Sequence, residues 1–146
     1  MREPRDRNPH SGIPVLRKAE ALSCLVSILR PVSARRTIAI VPARNEAECI
    51  GKVVQEIKTF DPAYVVLVVD DGSTDTTAAV ARGAGARVVS LPFNLGIGGA
   101  VQTGFKVAQE ERFDLAVRLD GDGQHIAAEV PKLLAPVLDG SADIVV

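Results

Sequence analysis

Four short apolar runs rich in β-branched residues, each followed by a stretch of helical period, constrain this chain more than any other feature. Thr37 to Pro42 (TIAIVP), Tyr64 to Val69 (YVVLVV), Arg87 to Leu91 (RVVSL) and Leu115 to Leu119 (LAVRL) have the length and composition of buried strands. Between them Ile50, Val53, Val54 and Ile57 recur along one helix face, Thr76 to Ala81 is Ala-rich, and Ala100 to Gln109 again has helical period. After Leu119 a further helical segment with Leu133, Leu134 and Leu138 leads to Ala142–Val146, an apolar run that reads as the start of a fifth strand. Strands this uniformly apolar, alternating with helices, predict an α/β domain whose mainly parallel sheet is covered on both faces. There is no internal repeat.

A chain of 146 residues, 47% apolar and 24% charged, can bury a core without a disulfide or zinc staple, and its composition excludes wholesale disorder. Cys24 and Cys49 lack the spacing and the neighbouring His of a zinc site and form no disulfide framework, which fits a reducing compartment. A net charge of −1 and few aromatic residues, Phe60, Tyr64, Phe93, Phe105 and Phe113, argue against a nucleic-acid partner. The charge is unevenly divided. Residues 1–36 are strongly basic and the remainder is acidic, so 1–36 reads as an extension and 37–146 as the folded domain. The opening MREPRDRNPHSGIP has the composition of a disordered segment. Val15, Ala19, Leu22, Val26 and Leu29 then follow helical spacing among basic residues, which predicts an amphipathic helix over 15–29. That helix suits an anionic membrane surface, packing on its own domain, or non-native leader sequence. It is too short to span a bilayer, which takes about 20 apolar residues, and no signal-cleavage pattern follows it.

In open parallel sheets ligands bind beyond the carboxyl ends of the strands, and all four predicted strands end in polar or glycine-rich loops. Asp120 and Asp122 stand two apart after the fourth strand, so in extended chain both carboxylates point the same way, about 6–7 Å apart. Their repulsion costs roughly 2–3 kcal/mol at an effective dielectric near 20, and a divalent cation converts it to attraction. Oxygen-only ligands favour Mg2+ or Mn2+, which leave positions open for substrate phosphates. The alternative is a polar turn in which Gly121 and Gly123 supply the backbone freedom. Within Asp70–Asp75 (DDGSTD), Gly72 forms a turn and Ser73, Thr74 or Asp75 caps the next helix, while Asp71 is placed to accept from a ribose hydroxyl or a base N–H. In Pro42–Glu46, Asn45 caps the first helix, Glu46 favours its positive end, and Arg44 either meets a base or phosphate or faces solvent.

The run Asn94–Gly104 (NLGIGGAVQTG) follows a strand and opens a helix, as a dinucleotide-binding loop does, but Val101 stands where G-x-G-x-x-G needs its third glycine. Close packing against the edge of the site accounts for it better, and an NAD-dependent oxidoreductase domain remains a distant alternative. A phosphatase D-x-D-G-T motif fails at Gln124, and that motif belongs after a first strand. An EF-hand fails because His125 takes the place of the required glycine.

Taken in order, PARNEAECI, VVDDGSTDTT, NLGIGGAVQTG and LDGDGQH resemble the nucleotide-binding half of family 2 glycosyltransferases of the GT-A fold. The branch most similar includes dolichyl-phosphate mannose synthase and polyprenyl-phosphate sugar transferases. The resemblance implies a Rossmann-like sheet of the nucleotide-diphospho-sugar transferase type and transfer of a hexose from a UDP- or GDP-sugar. It implies that Pro42, Arg44, Glu46, Val69 and Asp71 line the nucleotide pocket with Asp120, Gly121 and Asp122. Asp120 and Asp122 are then the catalytic pair, and with Gln124 they hold Mg2+ or Mn2+ against the donor diphosphate. Many relatives carry Tyr where this chain has Arg44, so aromatic stacking on the base is unavailable there.

The resemblance further implies a lipid-phosphate acceptor and peripheral contact with the cytoplasmic face of the membrane. Family catalytic domains continue beyond the point where this sequence stops within its fifth predicted strand. The expectation is therefore a C-terminally truncated or split product, open to a partner chain or oligomer, that binds a sugar nucleotide and transfers poorly alone. A donor-binding module without catalysis is the nearest alternative.

Overall fold

The computed structural model describes residues 35–121 and 130–146. The chain divides into two units at Pro31/Val32, and the described residues belong to the second. The basic segment and the helix expected over 15–29 lie outside them, as do Asp122, Gly123, Gln124 and His125.

The described elements are β1 (Thr37–Ala43), α1 (Ile50–Phe60), β2 (Val65–Asp70), α2 (Thr77–Gly83), β3 (Arg87–Ser90), α3 (Gly96–Glu110), β4 (Leu115–Arg118) and α4 (Val130–Leu138). The sheet order is β3-β2-β1-β4, and every pairing is parallel. β1 is buried along its whole length because strands flank it on both sides and helices cover it above and below, which is why TIAIVPA carries no charge. Its register sets Ala43 against Asp70 on β2, while on the other side the pairing with β4 runs from Thr37 to Ile40. Pro42 therefore stands beyond the β4 ladder. Ile40 turns its carbonyl to Leu119, and Pro42, two residues on, faces the same side, where no ladder bond needs the N–H it lacks.

Alternate residues along the strands serve two cores. Ala39, Val41, Val66 and Val68 pack with Ile50, Val53, Val54 and Ile57 of α1, Ala81 of α2, and Val130 and Leu134 of α4. On the opposite face Ile38, Ile40, Leu67 and Val69 pack with Ala100 and Ala108 of α3. Ala100, Gly104 and Ala108, spaced one turn apart, are all buried and form a stripe of small residues that brings α3 close to β1. A Cβ on Gly104 would lie 2.3 Å from Ile40 Cγ2.

At the amino ends of the strands, the Arg36 guanidinium lies 4.4 Å over the Phe113 ring and donates to the Glu111 carbonyl. Glu111 accepts a two-pronged bond from Arg87 at 2.6 and 2.7 Å. That bond holds the Glu111 carboxyl below its ordinary range and raises the Arg87 guanidinium.

Two expectations need correction. α3 begins at Gly96 rather than Ala100, so Gly96, Gly98 and Gly99 lie in the first turn of a helix rather than in a loop. Ala142–Val146 forms no strand, and Ile144 is 81% exposed. Among the described residues no strand lies beside the outer edge of β4, and a short apolar run without a ladder partner has nothing to fix it as extended.

Candidate functional site

The site is built at the carboxyl ends of β1 and β2, where two polar loops are bound to each other. Asp71 N–H donates to the Ala43 carbonyl at 2.9 Å, extending the β1–β2 ladder by one step. The doubled carboxylate at this tip divides its work. Asp70 folds back to accept Ser73 N–H at 3.0 Å, closing its own turn, and its carbonyl accepts Leu91 N–H. Asp71, only 4% exposed, accepts Leu95 N–H through Oδ1 at 2.7 Å, leaving Oδ2 as the acceptor available to the cavity that Asp71 lines. Gly72 makes this possible. It has φ +67°, and a Cβ there would meet Asn94 N at 2.8 Å and Phe93 C at 2.9 Å, so only glycine lets the β2 loop abut the β3–α3 loop.

The capping expected of Asn45 is replaced by a clasp between loops. Asn45 N–H donates to Ser73 Oγ at 3.0 Å, and its side-chain carbonyl accepts Thr74 N–H at 2.9 Å. Glu46 N–H donates to Thr77 Oγ1 at 2.8 Å, and Ala47 N–H to the Asp75 carboxylate at 3.3 Å. Asp75 also accepts the Thr77 hydroxyl and N–H at the start of α2, so it performs the capping expected somewhere within Ser73–Asp75. These bonds hold the Asp75 carboxyl below its ordinary range, the Thr77 hydroxyl contributing most. α1 starts without a side-chain cap, its first turn closed by Cys49 and Ile50 N–H on the Glu46 carbonyl. Cys49 is a free, half-buried thiol.

These loops line an open cavity of about 290 Å³. Pro42, Ala43, Arg44 and Glu46 form one wall and Asp71 another. The start of α3 contributes Gly96, Ile97 and Ala100, and Asn94 lines the cavity beside them, accepting Gly96 N–H at 2.8 Å. Of the residues expected to line a nucleotide pocket, Pro42, Arg44, Glu46 and Asp71 thus meet at one cavity. Val69 is fully buried in the core beneath α3 and does not reach it. Asp120 follows β4 and accepts from Arg118 at 2.6 Å. Gly121 is buried against Pro42, where a Cβ would stand 3.1 Å from the Pro42 carbonyl, so the β4 tip meets the cavity wall from the other side.

Sequence reasoning set the glycine-rich run against the edge of the site but singled out none of Ala43, Asn94, Gly96, Ile97 and Ala100 as cavity residues, and small or apolar side chains at these positions carry no signal that separates lining from packing. Among the described residues no three His, Cys, Asp or Glu side chains gather as a metal cluster. A second cavity, about 340 Å³, opens at the other end of the sheet among Thr37, Leu115, Leu134 and Leu138, away from the polar loops. Among the described residues no helix is long and apolar enough to cross a membrane.

Comparison with known proteins extends this picture. Residues 38–146 match the family model described as Glycosyl transferase family 2. Protein RfbJ of Shigella flexneri is 36% identical over 107 residues, covering 73% of this chain and 80% of that protein. Undecaprenyl-phosphate mannosyltransferase of Micrococcus luteus is 33% identical over 116 residues, covering 76% of this chain and 47% of that enzyme. Among solved structures, glucosyl-3-phosphoglycerate synthase from Mycobacterium tuberculosis, in complex with Mn2+, UDP-glucose and phosphoglyceric acid, superposes with a TM-score of 0.62 at 30% identity. That match covers 74% of this chain and 41% of the synthase. RfbJ apart, the chain spans about half the length of such curated relatives or less.

Proposed function

The chain belongs to glycosyl transferase family 2, and on that premise we propose that it binds a nucleotide-diphosphate sugar and serves transfer of the hexose to a polyprenyl phosphate. The observation that carries this reading is the meeting of Pro42, Arg44, Glu46 and Asp71 at one cavity beyond the carboxyl ends of β1 and β2. Asp71 presents one free acceptor to a base or ribose, and Arg44 brings positive charge to the mouth where an anionic donor enters. Val69 contributes from within the core, in the same apolar cluster as Ala100, which lines the cavity.

In this reading Asp120, Asp122 and Gln124 hold Mg2+ or Mn2+, and buried Gly121 lets the β4 tip approach the Pro42 wall. Every donor in that set is a hard oxygen, which fits these ions rather than zinc. When bound there, the ion would supply Lewis-acid stabilisation of the negative charge on the diphosphate. The reaction forms a bond from an acceptor oxygen to the anomeric carbon and breaks the bond from that carbon to the diphosphate. A lipid phosphate, with a second pKa of about 6, needs no deprotonation by the enzyme at pH 7. The acceptor would hold the protein peripherally at the cytoplasmic face of the membrane, and the acceptor site itself is assigned to no residue of this chain.

Calorimetric titration with UDP-glucose, GDP-mannose and NAD, each with and without Mn2+, tests the proposal. Sugar-nucleotide binding that strengthens with Mn2+ and loses that increment in Asp122→Ala supports it. Metal-independent binding of NAD alone points to a dinucleotide domain and overturns it.

A further inference from the structure

Asn45 is exposed and does not line the polar cavity, yet it stands between two residues that do, Arg44 and Glu46. Its backbone is left-handed, with φ +54°, a conformation open mainly to glycine and, among side-chain residues, to Asn and Asp. That single residue reverses the chain so that its two neighbours line the same cavity. The reversal is held from across the gap. Ser73 Oγ accepts the Asn45 N–H, and the Asn45 amide oxygen accepts both Thr74 N–H and the Thr74 hydroxyl, the latter at 3.4 Å. Ser73 and Thr74 belong to the loop that begins with Asp71. With the bonds from Glu46 N–H to Thr77 and from Ala47 N–H to Asp75, these contacts fix Arg44 and Glu46 relative to Asp71, and those of Asn45 are the ones nearest Arg44.

We propose that Asn45 is a positioning residue for the donor site: its left-handed backbone and amide oxygen pre-set Arg44 and Glu46 opposite Asp71 before the nucleotide arrives. The inference rests on the donor-binding reading above and adds to it a residue outside the cavity. Without the Asn45 bonds the loop is held only from Glu46 onward, and the segment carrying Arg44 samples other arrangements. Apparent affinity then falls by the fraction of time the loop is correctly set, while the folded core is untouched.

The test compares nucleotide binding with folding in the full chain, using UDP and GDP, each with Mn2+, as probes, at a temperature where every variant is folded. Asn45→Gly keeps access to the left-handed backbone and removes the amide oxygen. It is expected to raise Kd for the bound nucleotide about tenfold, as for a loop correctly set about one-tenth of the time, with little change in thermal midpoint. Asn45→Asp keeps both the backbone preference and an acceptor for Thr74, and is expected to stay close to the parent. Ser73→Ala, which removes only the acceptor of Asn45 N–H, should give a smaller loss in the same direction, and it serves if the glycine variant fails to fold. A lowered midpoint with unchanged Kd in Asn45→Gly or Ser73→Ala would make the clasp purely structural and overturn the inference. If the parent chain binds neither nucleotide, the donor-site reading itself falls and takes this inference with it. Binding by the parent matched by Asn45→Gly sinks the inference alone.

Discussion

Gly104→Ala is the sharpest test of how α3 sits on the sheet. In an isolated helix this change is favourable by about 1 kcal/mol, because alanine loses less backbone entropy than glycine. Here the added Cβ would stand 2.3 Å from Ile40 Cγ2, 3.2 Å from Cγ1 and 3.3 Å from Cβ. Carbon atoms in contact prefer about 3.5–4.0 Å, so either α3 rises by about 1 Å or Ile40 leaves its rotamer. Ile40 is β-branched, fully buried and paired on β1, and has little room to yield. Overpacking of this kind costs about 1–3 kcal/mol, and the clash places Gly104 toward the upper end. Net destabilisation of about 1–2 kcal/mol lowers the thermal midpoint by about 4–9 °C in a domain of this size. Gly98→Ala is the control. A Cβ at Gly98 meets nothing within 4 Å, so the propensity gain stands alone and the midpoint should rise by a few degrees. Circular dichroism melts of the three chains read both effects. A Gly104→Ala melt at or above the parent's would refute the close seat of α3 on Ile40.

Gly72→Ala meets backbone atoms of Phe93 and Asn94 at a positive φ, so neither side can give way; a loss of about 1–3 kcal/mol should appear as a lower urea midpoint with an unchanged m-value. Asp71→Ala strands Leu95 N–H at a cost of about 1–3 kcal/mol and should abolish nucleotide binding, whereas Asp71→Asn keeps an acceptor for Leu95 and should melt near the parent while still binding weakly. Equal melts for the two variants would deny the Leu95 anchor. Glu111 titrates below its ordinary 4.5 in the folded state because Arg87 binds its charged form. Its contribution to stability is therefore present above pH 4.5 and fades as pH falls through the lowered folded value. A double-mutant cycle on Arg87 and Glu111 should show coupling at pH 7, less in high salt, and none once Glu111 is protonated. Coupling that persists in acid would contradict the ion pair.

The α/β alternation was legible because each buried strand writes its burial as an unbroken apolar run, as TIAIV and VVLVV do. The strand order was not, since nothing local distinguishes a β1 flanked by β2 and β4 from one at the sheet edge. The run Ala142–Val146 shows the limit: apolar content proposes a strand, but only a neighbour's ladder makes one. That Arg44, Glu46 and Asp71 meet at one cavity was legible because polar residues at the tips of neighbouring parallel strands converge on one edge of the sheet. Asn45 and Asp75 were assigned local capping, a sensible default for such residues, and the structure turns Asn45 across to the other loop while Asp75 serves both. Partners that meet only after two parallel strands align leave no trace in local spacing. The two loops lie far enough apart in sequence that each looked self-contained.

The pairing of β1 also governs the timing of folding. Thr37 pairs with Leu115, at opposite ends of the chain segment that forms the sheet, and no two neighbouring strands are joined by a hairpin. As the polypeptide leaves the ribosome, one flank of β1 can be completed as soon as β2 emerges, but the other waits until nearly all of that segment has been translated. Through that interval an apolar strand carries an unfilled edge. Slow codons or a chaperone acting between the β2 and β4 coding regions should therefore influence yield more than the same intervention placed later.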